Sequence, residues 1–190
     1  MEITQTALAG VLILTPPRFG DHRGYFSESW NKRRLAEAGI DIDFVQDNES
    51  LSAEKGTVRG LHFQSPPAAQ DKLVRAVQGT ILDVAVDIRV GSPTYGAWVG
   101  EELSAENGRQ LLVPKGFLHG FLTLTENVLV SYKCSDFYAP DCDGAVRFDD
   151  PDIGIDWGVA AGDVTVSEKD GKAPAFADFQ SPFVYEEVSA

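Results

Sequence analysis

Apolar side chains recur along this chain mostly at every second position, the spacing of half-buried strands rather than helices. Residues 80–90 carry the longest run: Leu82, Val84, Val86, Ile88 and Val90 share one face, and Asp83, Asp87 and Arg89 the other. Before it, the apolar run 11–14 stops at Pro16-Pro17, a turn is marked by Gly20, Asp21 and Gly24, and 25–30 reads as strand again. Residues 44–48 form a strand ending in polar side chains, 57–64 a strand closed by Pro66-Pro67, and 73–78 the first arm of a hairpin turning at Gly79. Four more strands follow at 97–103, 110–113, 117–124 and 128–134, separated by SPTYG, SAENG, PKG and TEN. The clearest helix is NKRRLAEAG, with Asn31 as N-cap, Leu35, Ala36 and Ala38 inside and Gly39 as the stop. Short strands at this spacing, with few short helices, predict an all-β sandwich or barrel.

From residue 139 the chain loosens into short ordered pieces such as DDPDIGIDW and VTVSEKDG, and about residues 171–190 read as a tail packed on the surface. With no internal repeat, low-complexity segment or linker, a single domain over 1–190 is expected. A chain of this length buries roughly 70% of its unfolded surface, enough for a sizeable core. The net charge of −13 argues against nucleic acid or an anionic membrane as partner, because phosphate arrays need a basic footprint. A small phosphorylated ligand needs only a few local cations and stays open. MEITQTALAG lacks the basic-then-apolar order of a secretory signal, and no apolar run approaches the ~20 residues of a membrane helix. Two cysteines, Cys134 and Cys142, are too few for a disulfide framework, so a reduced, cytoplasmic setting is expected.

The stretch TVRGLHFQSPPAAQDK, residues 57–72, changes the picture most. It packs a guanidinium (Arg59), an imidazole (His62), a carboxamide (Gln64) and an ammonium (Lys72) onto one strand and turn. A base beside two cations suits an anionic substrate and a proton to be moved. A polar sheet face with a satisfied histidine is the alternative. Strict alternation would put Arg59 and His62 on opposite faces, so a β-bulge is expected at Gly60 to bring them together. Elsewhere, Tyr132 in VLVSYKC can be core filler or a proton donor, and His119 in PKGFLHGF can be a satisfied core histidine or a ligand contact.

The blocks FGDHRGYFSESW, FVQDNES, VRGLHFQSPPAAQDKLVR, DVAVDIR, SPTYGAW, LSAENGRQLLVPKGFLHGFLTL, SYKCSDFYAP, DDPDIGIDW and SEKD, in order over about residues 19–170, resemble the dTDP-4-dehydrorhamnose 3,5-epimerase family. The resemblance implies a cupin-type jelly roll, a homodimer, and catalysis without metal or other cofactor. The implied reaction epimerises C3 and C5 of dTDP-4-dehydro-6-deoxy-D-glucose to dTDP-4-dehydro-L-rhamnose, in dTDP-L-rhamnose biosynthesis. It implies His62 as base with Asp170 against it, Lys72 near the C4 oxygen, and Tyr132 as acid.

Arg23, Arg59 and Lys169 would meet the diphosphate, and Glu28, Gln46, Asp47 and Asn48 the nucleoside or sugar. His119 would lie near the substrate, Tyr138 would stack on thymine, and Phe26 would close the pocket, supplied by a partner subunit. Asp143 stands where the family commonly has Glu, which leaves that contact open, and His22 stands where an acidic residue is usual. Three rivals remain: an enzyme acting at C3 alone, a metal-dependent cupin enzyme, and a non-catalytic sugar-nucleotide binding module. The metal rival needs a cluster of histidines, and the chain has three in all.

Overall fold

The computed structural model describes residues 1–186; the last four residues of the expected tail lie outside the described part. In chain order the strands are β1 Glu2–Gln5, β2 Leu12–Thr15, β3 Phe19–Asp21 and β4 Gly24–Phe26, then helix α1 Lys32–Glu37. There follow β5 Gln46–Ser52, β6 Val58–Gln64, β7 Lys72–Gln78, β8 Thr80–Asp87, β9 Trp98–Ser104 and β10 Gln110–Val113. The series closes with β11 Phe117–Thr123, β12 Val128–Cys134, β13 Asp143–Ala145 and the one-turn helix α2 Glu168–Gly171. One sheet has the order β1-β2-β10-β7-β12-β5 and faces a second with the order β13-β6-β11-β8-β9; β3 and β4 form a separate hairpin. All these pairings are antiparallel, and the two-layer arrangement is the cupin-type jelly roll that the resemblance implies.

The main core lies between the layers, where Val74, Ala76, Leu111, Val113 and Val130 of one sheet meet Ile81, Ala85, Leu103, Phe117 and Phe121 of the other. A second core covers the outer face of the five-stranded sheet. There Leu61, Val84, Val86 and Leu118 pack beneath Val146, Phe148, Ile153, Trp157 and Phe183 of the C-terminal segment. This settles which way β8 faces. Its apolar row is turned outward under the C-terminal segment, while Asp83 and Asp87, both fully buried, point between the sheets. Helix α1 lies over the six-stranded sheet, with Leu35 against Leu14, Leu73 and Leu112. Asn31 caps it as expected, its side chain accepting from the Arg34 N–H at 3.2 Å.

Several boundaries differ from expectation. The strand expected at 25–30 ends at Phe26, and the one expected at 44–48 runs instead from Gln46 to Ser52. β1 was not expected; it joins the sheet by pairing with β2, which places Ile3 opposite Leu14. In the segment from 171 onward Phe183 is buried, and Val184 bridges to Val90.

Gly60 adopts φ +117°, and a β-carbon there would stand 2.7 Å from both the Gly120 α-carbon and the His119 carbonyl oxygen. Gly39, at φ +84°, has open space around it. Gly39→Ala should therefore lose only the roughly 1–2 kcal/mol of a left-handed backbone, whereas Gly60→Ala should lose several kcal/mol more from the collision. Thermal denaturation of the two variants checks this, and equal losses would mean that the crossing tolerates a side chain.

Candidate active site

β6 carries one residue more than the strand it pairs with. His62 faces His119 and Arg59 faces Phe121, so three steps on β6 answer two on β11. This is the bulge expected at Gly60, and it turns Arg59 and His62 toward the same cavity. It also frees the Gly60 N–H from the ladder. That N–H donates to Asp170 Oδ2 at 3.2 Å, while Asp170 Oδ1 lies 2.7 Å from His62 Nε2. Asp170 is held from its own side by α2, where Ser167 is the N-cap and its hydroxyl oxygen accepts the Asp170 N–H at 3.0 Å. The SEKD turn is thus a capped helix start that aims one buried carboxylate at one imidazole.

The opposite wall comes from the six-stranded sheet. Residues directly across a ladder share a face, so Tyr132 sits in a row with Val74 and Asn48, and Cys134 in a row with Lys72 and Gln46. These rows and the five-stranded sheet enclose a cavity of about 430 Å³ lined by Arg59, His62, Lys72, His119, Tyr132 and Asp170 among others. A second cavity of about 440 Å³ shares His62, Lys72, Tyr132 and Lys169 with it and adds Gln46, Asn48, Tyr138 and Asp143. Two glutamines hold the loop that carries the exposed Tyr138 ring. Gln46 Oε1 accepts the Tyr138 N–H at 3.0 Å, and Gln64 bonds to Phe137 O at 3.2 Å and the Ala139 N–H at 2.9 Å. Lys169 pairs with Asp143, so the shorter acidic side chain at 143 still engages a cation.

Four of the expected site residues are not brought to these cavities. Asp47 alternates away from Gln46 and Asn48 and pairs with Lys133 at 2.9 Å on the other face of the sheet. Arg23 is bonded to Asp21 on the exposed β3–β4 hairpin, Phe26 beside it is 69% exposed, and Glu28 pairs with Arg34 at 3.0 Å. Two polar residues that the sequence did not single out do reach the interior. Ser50 lines the first cavity, and its buried hydroxyl has no partner among the described residues. It continues the alternation of Gln46 and Asn48, a signal lost by ending that strand at residue 48. Asp83 holds His119, with Oδ1 2.8 Å from Nε2, so His119 is both a satisfied histidine and a cavity wall.

A family model described as dTDP-4-dehydrorhamnose 3,5-epimerase matches residues 5–178. The chain belongs to this family. It is 50% identical over 188 residues to a dTDP-4-dehydrorhamnose 3,5-epimerase of Sinorhizobium fredii, covering 99% of this chain and 96% of that protein. A family structure from Legionella pneumophila, in complex with dTDP-4-keto-L-rhamnose, is similar with a TM-score of 0.92 and 42% identity, covering 97% and 98% of the two chains. Another from Bacillus anthracis, with TDP and pyrophosphate bound, has a TM-score of 0.88 and 48% identity, covering 92% and 98%.

The centre is electrically uneven. Burial pushes the Lys72 ammonium below the ordinary lysine range, against the opposing pull of Cys134, Asp143 and Asp83. Burial pushes the Tyr132 phenol up. Burial would also raise Asp170, but the hydrogen bond and charge of His62, with the Gly60 N–H, hold it below the usual carboxylate range. Tyr132 therefore keeps its proton to a higher pH than a free tyrosine, while Lys72 loses its charge at a lower pH than a free lysine. Turnover that draws on both should fall on the alkaline side as Lys72 deprotonates. In Lys72→Arg the residual activity should lack that limb, since a guanidinium stays charged. A pH–kcat profile measures it, and the same limb in both proteins would assign it elsewhere.

Proposed function

We propose that this chain inverts C3 and C5 of dTDP-4-dehydro-6-deoxy-D-glucose, giving dTDP-4-dehydro-L-rhamnose for dTDP-L-rhamnose formation. The observation that carries the reading is the placement of a base and an acid on opposing walls. His62 projects from the five-stranded sheet and Tyr132 from the six-stranded sheet into one cavity. Inversion at carbon requires a proton to leave from one side and another to arrive on the other. His62 takes the proton next to the C4 ketone, and its electron pair passes into an enolate. Lys72 stabilises the enolate oxygen, and Tyr132 delivers a proton to the opposite face of the carbon. Asp170 fixes the imidazole and stabilises its protonated form. Solvent then returns the proton to Tyr132 and takes the one held by His62, and the sequence repeats at the second centre.

The second cavity suits the nucleotide end. Tyr138 offers an exposed ring for thymine, Gln46 and Asn48 offer amides, and Lys169 offers a cation for the diphosphate, to which Arg59 adds a second from the first cavity. Arg59 is held for this by bonds to Ser52 Oγ at 3.1 Å and Leu51 O at 3.0 Å. Arg23, Phe26 and Glu28 stand away from the chain's own cavity, the first two on a hairpin whose Phe19, Tyr25 and Phe26 rings are all more than half exposed. A second copy would bury that apolar surface and bring Arg23 and Phe26 over the partner's cavity, which makes the working unit a homodimer. No helix among the described residues is long and apolar enough to cross a membrane, and the free cysteines Cys134 and Cys142 fit a reduced cytoplasm.

Incubation with the 4-keto sugar nucleotide in deuterated water should place deuterium at both C3 and C5, and His62→Ala should lower exchange roughly 10²–10⁴-fold while still binding dTDP. Label at C3 alone would favour the single-centre reading, and full exchange by His62→Ala would remove that imidazole from the chemistry. For the dimer, His62→Ala and Arg23→Ala proteins, each inactive, should on subunit exchange recover about a quarter of full activity, because one site in each mixed pair is intact. No recovery in a preparation shown to contain mixed pairs would place Arg23 outside the partner's site.

A further inference from the structure

We propose that Asp83 is a positioning residue for Lys72, the fixed counter-charge that holds its ammonium in the cavity. The inference rests on the epimerase reading, in which Lys72 meets the enolate oxygen. Three groups press on Lys72 from the elements around it: the Cys134 thiol of β12, Asp143 of β13 and Asp83 of β8. The first two are not available as counter-charges. Burial pushes the Cys134 thiol up, keeping it protonated, and the Asp143 carboxylate is taken by Lys169. Asp83 differs from both. It is fully buried, its Oδ1 is bonded to His119, and its Oδ2 is a buried oxygen with no hydrogen-bond partner among the described residues. Lys72 likewise makes no ion pair among the described residues, although burial desolvates its charge.

An unpaired carboxylate oxygen and an unpaired ammonium in one interior each carry a desolvation cost that the other can offset. His119 and Lys72 also flank a narrow gap of about 10 Å³ behind the main cavity, on the scale of one water molecule. Asp83 therefore acts on Lys72 as a buried charge behind the His119 wall, without a direct ion pair, while its other oxygen fixes the His119 ring. The substrate ketone has no charge until the proton leaves, so a resting counter-charge keeps Lys72 protonated and aimed until the enolate forms.

Asp83→Asn keeps the shape and an acceptor for His119 but removes the charge. It should lower kcat about ten- to hundredfold, the scale of losing a hydrogen bond to a charged group, with little change in KM. Its alkaline limb should move to lower pH. In a Lys72→Met background the same change should cost nothing further, whereas in a His119→Gln background it should cost the full factor. Asp83→Thr, which retains an oxygen for His119, is the second variant should the amide fail to fold. Wild-type kcat and limb in a folded Asp83 variant, or an undiminished loss on Lys72→Met, overturns the inference. Wild-type deuterium exchange is the control: its absence defeats the epimerase reading, while its presence beside a silent Asp83 variant defeats this inference alone.

Discussion

At the crossing of β6 and β11 two backbones approach so closely that a β-carbon on Gly60 would stand 2.7 Å from the Gly120 α-carbon, and one on Gly120 would stand 2.8 Å from the Arg59 carbonyl oxygen. Two glycines in register are the physical condition for the extra residue in β6. That residue reverses the alternation between Arg59 and His62, so a guanidinium and an imidazole serve one cavity instead of opposite sides of a sheet. The same distortion leaves the Gly60 N–H without a ladder partner, and Asp170 accepts it with one oxygen while engaging His62 with the other. The shape of the strand and the orientation of the imidazole thus have one cause.

A jelly roll usually turns its apolar rows toward each other across the sandwich. Here the C-terminal segment supplies an apolar lid for the outer face of the five-stranded sheet, and this lets β8 turn carboxylates inward. Asp87 is satisfied there by Arg89, Ser92 and Thr94, and Asp83 by His119 on one side. Burying polar groups this deeply costs several kcal/mol each when they are unpaired, so the interior is built almost wholly of pairs. Among the exceptions in the described residues, Ser50 Oγ borders the cavity that holds Lys72 and Tyr132, and Asp83 Oδ2 belongs to the residue that holds its His119 wall.

Much of this was readable from residue order, because the strongest signals are local. Period-two alternation gave β11 and β12 to within a residue and the start of β8, which ends three residues early at Asp87, and Asn31 with Gly39 bracketed α1. The conflict between Arg59 and His62 was itself the signal for the bulge. Other features depend on contacts made at long range. β1 has four residues and becomes a strand only because β2 pairs with it. Asp47 sits between two residues that face the cavity, and a run of three polar side chains gives no hint of which one turns away; pairing with Lys133 on β12 decides it. Arg23 and Phe26 match the family's blocks but stand on a hairpin that lines neither cavity, and residue order alone does not record where a short hairpin comes to lie.

The chain's charge of −13 opposes an anionic ligand, yet it does not decide binding. Exposed charges more than about 8–10 Å from the ligand are largely screened at physiological salt, so the groups within a few ångströms dominate. Those include Arg59, Lys72 and Lys169, and they differ in a useful way. Lys169 and Arg59 are partly exposed and neutralised or braced by neighbours, which suits a diphosphate that arrives charged. Lys72 is desolvated, which suits an oxygen that becomes charged only during the reaction, because a charge in a low-dielectric interior interacts more strongly with charge that develops beside it than with water. In the proposed function, a cation of the same type is therefore a binding group at one end of the cleft and a reaction group at the other, and burial is what separates the two roles.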